Sequence, residues 1–146
     1  MEIFTMGFTQ KSAEQFFGLI NKYDIELLID VRLNNQSQLA GFTKGRDLEF
    51  FLKNLCNCKY EHGIVFAPTK EILNSYKKQY ISWEDYVLQY NALIEKRGVE
   101  NIFKTKYVEY NRVLLLCSEP KPENCHRRLL AERLKKYIAG VNVMHI

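Results

Sequence analysis

The chain has 146 residues, 47% of them hydrophobic, 26% charged and 13% aromatic, with a formal net charge of +4. A chain of this length buries roughly 70% of the surface its unfolded form exposes, so a single domain without disulfide or metal staples is expected. The apolar content excludes a disordered polymer, and no run approaches the ~18 consecutive apolar residues of a membrane span.

Ile3-Phe4-Thr5-Met6 alternates in part and ends at Gly7, which suits a first strand. Ser12 and Gln15 have capping-box spacing, and Phe16, Leu19, Ile20 and Tyr23 follow at helical intervals. Leu27-Leu28-Ile29-Asp30-Val31 is a nearly continuous apolar run, as in a strand covered on both faces. Residues 32–45 are polar, contain Gly41 and Gly45, and read as a loop. Leu48, Phe51, Leu52 and Leu55 mark a second amphipathic helix, and Cys58 to His62 a short strand. Pro68-Thr69 opens a helix through Ile72, Leu73 and Tyr76. Ser82-Trp83-Glu84-Asp85 caps another, with Tyr86, Val87, Tyr90 and Ile94 on one face. Together these form a helical excursion around residues 69–98. Val113 to Cys117 is the second buried strand, and Pro120 and Pro122 prevent its extension. Asn124 reads as the N-cap of a helix from Cys125 to Tyr137, on which Glu132 is spaced to pair with Arg128 or Lys136. Val141 to Ile146 closes the chain as a strand. Strands alternating with helices predict a single α/β domain over residues 1–146, with a mainly parallel sheet of about five strands flanked by helices.

Residues 1–73 hold eight Lys/Arg and nine Asp/Glu, whereas residues 74–146 hold thirteen and eight, so the halves carry −1 and +5. The excess sits in Lys104, Lys106, Arg112, Arg127, Arg128, Arg133, Lys135 and Lys136, either a solvated helix face or the footprint of an anionic partner. Tyr76, Tyr80, Tyr86 and Tyr90 interleave with Lys77 and Lys78, which fits packing groups or a single-stranded nucleic-acid platform. Met1-Glu2-Ile3 lacks the basic and apolar regions of a secretory signal, so a cytoplasmic location with reduced thiols is expected.

In an open parallel sheet, ligands bind beyond the carboxyl ends of the strands. That edge gathers Gly7 and Thr9, Asp30 and Arg32, Cys117 and Glu119, Cys125-His126-Arg127, and His145. The start of a helix offers free N–H groups and the positive end of its dipole, so Cys125 is expected to have a lowered pKa. Arg127 adds a planar fork for phosphate or carboxylate, with Arg32, Gly7, Thr9 and His145 as further substrate contacts. Asp30 and Glu119 are candidate acid/base groups, Cys117 and Cys125 candidate nucleophiles, and His126 a candidate base. The structural alternatives are an ion pair for Asp30, a buried packing role for Cys125 and a core position for His145. No cofactor is expected. Zinc on Cys117, Cys125, His126 and His145 is the alternative, although no paired C-x₂-C unit exists and Cys56-x-Cys58 lacks a nearby partner. No glycine-rich fingerprint follows any strand, which removes dinucleotide and P-loop binding.

Thr5-x-Gly7-Phe8, Leu28-Ile29-Asp30-Val31-Arg32, Leu116-Cys117-x-Glu119, Cys125-His126-Arg127 and Val143-x-His145-Ile146, in that order, resemble the uncharacterised family called domain of unknown function 488. Ala67-Pro68-Thr69 and Trp83…Tyr86 resemble the middle of one branch of it. The resemblance runs end to end and implies a single α/β domain, without an established reaction to carry over. Thr9 stands where the family often has a serine-type residue, and Asn34-Asn35-Gln36-Ser37 replaces a Pro-x-Ser-like loop. The Asp-Val-Arg step and the later cysteine are also similar to rhodanese sulfurtransferases, whose amide cradle Pro120 and Pro122 would interrupt. The expected function is a small cytoplasmic enzyme or ligand-binding domain for a phosphate- or nucleotide-like anion. The alternatives are a nucleic-acid-binding accessory protein without catalysis and a thiol-dependent, sulfurtransferase-like enzyme. No membrane partner is expected, and the oligomeric state is not legible.

Overall fold

Strict alternation of two apolar sets along each inner strand means that both faces of the sheet must be covered. A computed structural model, describing residues 1–36 and 40–146, shows how. Ser37, in the loop that replaces the Pro-x-Ser-like pattern, lies outside the described residues. The strands are β1 (Glu2–Gly7), β2 (Leu27–Asp30), β3 (Lys59–His62), β4 (Arg112–Cys117) and β5 (Asn142–His145). The helices are α1 (Ala13–Lys22), α2 (Gly45–Cys56), α3 (Lys70–Lys77), α4 (Trp83–Arg97), α5 (Val99–Tyr107) and α6 (His126–Tyr137). All five strands are parallel, in the order β3-β2-β4-β1-β5. This is the α/β domain expected, with the 69–98 excursion present as α3 and α4.

One core layer joins Phe4, Met6, Leu28, Leu114 and Leu116 to Phe16, Phe17 and Ile20 of α1 and Leu48 and Leu52 of α2. The other joins Ile3, Ile29, Leu115 and Cys117 to Tyr90 and Ile94 of α4, Phe103 of α5, and Leu130 and Leu134 of α6. Alternation along β2 therefore puts Asp30 on the α1/α2 side, whereas Cys117 belongs to the α4–α6 side.

Two differences from the sequence reading have local causes. Helix α5 was not expected, because Gly98, in the left-handed conformation at φ 62°, reads as a helix end. The chain starts a new helix at once, and Val99, Phe103 and Tyr107 bury one stripe at four-residue intervals. At α6 the N-cap is Cys125 rather than Asn124, in extended conformation and without a side-chain capping bond.

Gly7 fixes how closely β1 approaches the segment after β4. A Cβ there would sit 1.6 Å from the Glu119 carbonyl oxygen, a backbone atom that cannot swing aside. Gly18, on the exposed face of α1, meets nothing within 4 Å. Gly7→Ala is expected to cost about 2–3 kcal/mol or more. Gly18→Ala should instead stabilise by roughly 0.5–1 kcal/mol. Thermal melts of the two variants check this, and a Gly7→Ala protein as stable as wild type would refute the close approach.

Candidate functional site

Adjacent strands β2 and β4 send their connections in opposite directions, β2 outward to β3 and β4 across β1 to β5. Such a switch point opens a crevice at the carboxyl edge of a parallel sheet. A cavity of about 290 Å³ occupies it. Its walls include Arg32 and Asn34 after β2, Cys117 and Glu119 after β4, and Cys125 and His126 at the start of α6. Phe8, Pro68, Tyr76, Lys77 and Tyr86 also line it.

Cys117, Cys125 and His126 are all buried, with their sulfur and ring-nitrogen atoms within 4.8 Å of one another. His126 Nε2 is 2.7 Å from the Val31 carbonyl oxygen. A carbonyl only accepts, so Nε2 carries a proton and Nδ1 is the nitrogen free to change state. The Cys117 sulfur lies 3.8 Å from Nδ1 and 4.0 Å from Nε2. Near-equal distances place it off the axis of either nitrogen, so the contact is one of charge and not an aligned hydrogen bond.

The two thiols are driven apart in acidity. Cys117 is held well below the ordinary thiol range, first by the adjacent Cys125 thiol, whose influence outweighs burial, and then by His126 and Arg127. Cys125 is pushed well above it, first by burial and then by the neighbouring Cys117. The expectation of a lowered Cys125 is thus corrected. Its helix-end position loses to desolvation and to a charge already carried by Cys117. Burial lowers His126, but Cys117 and the Val31 carbonyl outweigh it, and the net shift is upward. The shifts together favour the anion at Cys117 and the proton at Cys125 and at His126.

Arg127 is 1% exposed. Its Nη1 donates to the Glu119 carbonyl at 2.6 Å and Nη2 to the Pro120 carbonyl at 3.5 Å, while Nε has no partner among the described residues. It is not the partner of Asp30. Arg127 holds the β4–α6 connection and adds positive potential beneath Cys117, but it does not line the cavity. Glu119 does, with an exposed side chain.

Asp30 and Arg32 pair with each other. Arg32 Nε and Nη2 bond the two carboxylate oxygens at 2.8 and 2.7 Å, with the residues 0% and 4% exposed. The Tyr60 hydroxyl donates to the same carboxylate at 2.8 Å, and Arg32 Nη2 also donates to the Thr43 carbonyl. With its oxygens occupied, Asp30 is a structural anion here, not a free acid/base group. Thr9 donates its hydroxyl to the Ser118 carbonyl at 2.6 Å, and His145 Nδ1 is 2.6 Å from the Thr5 hydroxyl on the exposed end of β5. Neither lines the cavity, and His145 is not a core histidine.

The model of the domain of unknown function DUF488 matches residues 12–134. The chain belongs to the DUF488 family. No curated protein and no solved structure matches it significantly. The family match and the fold agree with the resemblance read from the motifs, and none of the helices of this DUF488 domain, among the described residues, is long and apolar enough to cross a membrane.

A zinc ion needs the Nδ1 lone pair and both sulfurs aimed at one point. Of the residues weighed for zinc, Cys117, Cys125 and His126 come together with Nδ1 left free by the Val31 bond, whereas His145 is bonded to Thr5 instead. Cys56 and Cys58 lie apart, at the amino edge, where burial pushes Cys58 up to about 12. Several basic residues are committed within the fold: Arg128 to Glu132, Arg133 to Glu100, and Lys106 to Glu61. Phe8, Leu33, Asn34, Pro68, Ser118 and Asn124 are wall residues without a site role in the sequence analysis, and Leu73, Tyr76, Lys77 and Tyr86 stand there only as packing or nucleic-acid groups. Their common signal is position, since they lie in the segments after β1, β2 and β4 or in and just before the helical excursion α3–α4.

Asp30→Ala would strand the buried Arg32 guanidinium and is expected to cost about 3–5 kcal/mol. Denaturant unfolding at neutral pH measures it. A loss below ~1 kcal/mol would mean that the pair is solvated, as surface pairs are.

Proposed function

We propose that this DUF488 domain is a thiol-dependent enzyme in which Cys117 attacks a small electrophilic substrate bearing an anionic group. The observation that carries the reading is the position of Cys117: the residue is part of the wall of a cavity of about 290 Å³ while Cys125, His126 and Arg127 favour its anion. A thiolate is the nucleophilic form of cysteine, and partial access plus local positive charge is what distinguishes a reactive thiol from an inert buried one. Support for an anionic group on the substrate comes from Lys77 at the rim and the N-terminus of α6, whose first residues form part of the wall. The imidazolium of His126, with its proton on Nδ1, is placed to return a proton once the thiolate charge is consumed. The reading favours the thiol-dependent alternative over a purely phosphate-binding site, because the arginines are already engaged by the protein. A cytoplasmic location, where thiols stay reduced, is part of the proposal.

The test is the alkylation rate of each cysteine against pH, resolved by peptide mass spectrometry. Since the Cys117 pKa is depressed, its thiolate fraction persists as pH falls below the usual thiol value, so alkylation by iodoacetamide should remain fast at pH 6. Cys125, with a raised pKa, should react only at high pH. Cys125→Ala removes the donor and should shift the Cys117 profile upward, while Cys125→Ser, which keeps a donor, should shift it less. Iodoacetate should gain on iodoacetamide relative to free glutathione if the cavity favours an anion. Two thiols inert until denaturation would overturn the proposal, and protection lifted by a chelator would assign the cluster to zinc instead.

A further inference from the structure

A buried tyrosine ordinarily finds a hydrogen-bond partner for its hydroxyl. Three well-buried or half-buried tyrosines of this domain obey: Tyr90 donates to the Phe66 carbonyl at 2.7 Å, Tyr107 to Glu61 at 2.7 Å and Tyr60 to Asp30 at 2.8 Å. Tyr86 differs: the residue is 2% exposed, but its hydroxyl has no partner among the described residues and is not one of their sealed, unpartnered polar atoms, as Arg127 Nε is. The half-buried Tyr23 and Tyr76 likewise make no such bond among them, but neither is held between two stacked rings as Tyr86 is. The ring is not free to search for one. It stacks on Trp83 with centroids 5.1 Å apart and planes 17° apart, and on Tyr90 at 6.2 Å and 14°. Tyr90 in turn meets the His126 ring edge-on at 5.4 Å. Both faces of Tyr86 are thus engaged, and the residue belongs to the same cavity wall as Cys117, Cys125 and Glu119. Burial, reinforced by the Cys117 and Cys125 sulfurs, pushes its pKa up, so the phenol keeps its proton and remains a donor.

An uncommitted, rigidly held donor beside a nucleophile is how an enzyme stabilises an oxygen on which negative charge develops. We propose that the Tyr86 hydroxyl donates to the substrate oxygen bonded to the carbon that Cys117 attacks, so that the site takes an acyl substrate, a carboxylic ester or thioester. The inference rests on Cys117 being the nucleophile. In the step it describes, the thiolate electron pair forms the sulfur–carbon bond and the carbonyl π pair moves onto oxygen, where the Tyr86 hydroxyl meets it. The pair then returns, expels the alkoxide or thiolate leaving group, and leaves a thioester on Cys117.

Two small reagents separate the inference from the reading beneath it. 4-Nitrophenyl acetate acylates a thiolate through an oxyanion, releasing 4-nitrophenolate. Iodoacetamide alkylates it by displacing iodide at a methylene carbon, with no oxyanion. Tyr86→Phe retains the stacked ring and should slow acylation of Cys117 by about ten-fold or more, leaving its alkylation rate at the same pH unchanged. Tyr90→Phe, which loses a structural bond to Phe66 and so reports general destabilisation, should leave the ratio of the two rates unaltered. Equal slowing of both reactions in Tyr86→Phe, or no slowing of either, would overturn the role of the hydroxyl while Cys117 still stands as nucleophile. Wild-type Cys117 resistant to both reagents would overturn both.

Discussion

A guanidinium is almost never fully buried unless it is paired, because desolvating a fixed charge is costly. Arg127 is buried to 1% exposure with carbonyl oxygens as its hydrogen-bond partners, and its Nε has none among the described residues. The candidate site depends on this side chain. It pins the Glu119 and Pro120 carbonyls, and so fixes a connection whose prolines cannot donate hydrogen bonds of their own. That connection presses on Gly7 at a distance only glycine tolerates. The same charge depresses Lys11 and His145, in each case after burial, and favours the Cys117 anion. The group whose anion the buried guanidinium favours is therefore a thiol, Cys117, and not a carboxylate paired with it.

The carboxyl edge divides its work between the two faces of the sheet. On the α1/α2 side, Asp30, Arg32, Tyr60 and Thr43 form a closed network with each carboxylate oxygen occupied. Arg32 also lies over the Phe8 ring, 4.9 Å from its centroid. That network holds the segment after β2, whose Val31 carbonyl sets the His126 tautomer. On the α4–α6 side, the dithiol and imidazole meet a cavity. The structural ion pair thus orients the reactive cluster through one backbone carbonyl, although no side chain joins them.

The fold was legible because each strand and most helices carry a local signature. The two-sided runs 27–31 and 113–117 demand a covered parallel sheet, and the Ser12 and Ser82 capping boxes mark α1 and α4 at the right residues. Helix α5 hid behind Gly98, since a left-handed glycine ends one helix without saying whether another follows. Topology also brought Asp30, Arg32, Cys117, Cys125, His126 and Arg127 to one edge, as the motif order implied. What the sequence withheld was the direction each side chain takes. Period-two alternation sends Asp30 and Cys117 to opposite faces, and that is visible only once the ends of the strands are known. Tyr86 reads as packing at helical spacing, and it does pack. Its place in the cavity wall, with a hydroxyl free of the bonds that Tyr60, Tyr90 and Tyr107 make, appears only in the folded structure.

The inversion of acidity between the two cysteines has a further consequence. Two thiols sharing one site cannot both ionise, so they titrate as a pair with the first proton lost from the sulfur that the other can stabilise. Cys117 is that sulfur, since Cys125, His126 and Arg127 all favour its anion. Apart from burial, the influences that raise Cys125 come from Cys117 itself, while the Arg127 guanidinium and backbone N–H act in the opposite sense. Any covalent bond at Cys117 removes its charge and its capacity to accept from Cys125. What remains at Cys125 is desolvation opposed by Arg127. The influences of Cys117 that raise Cys125 therefore last only as long as Cys117 carries its charge.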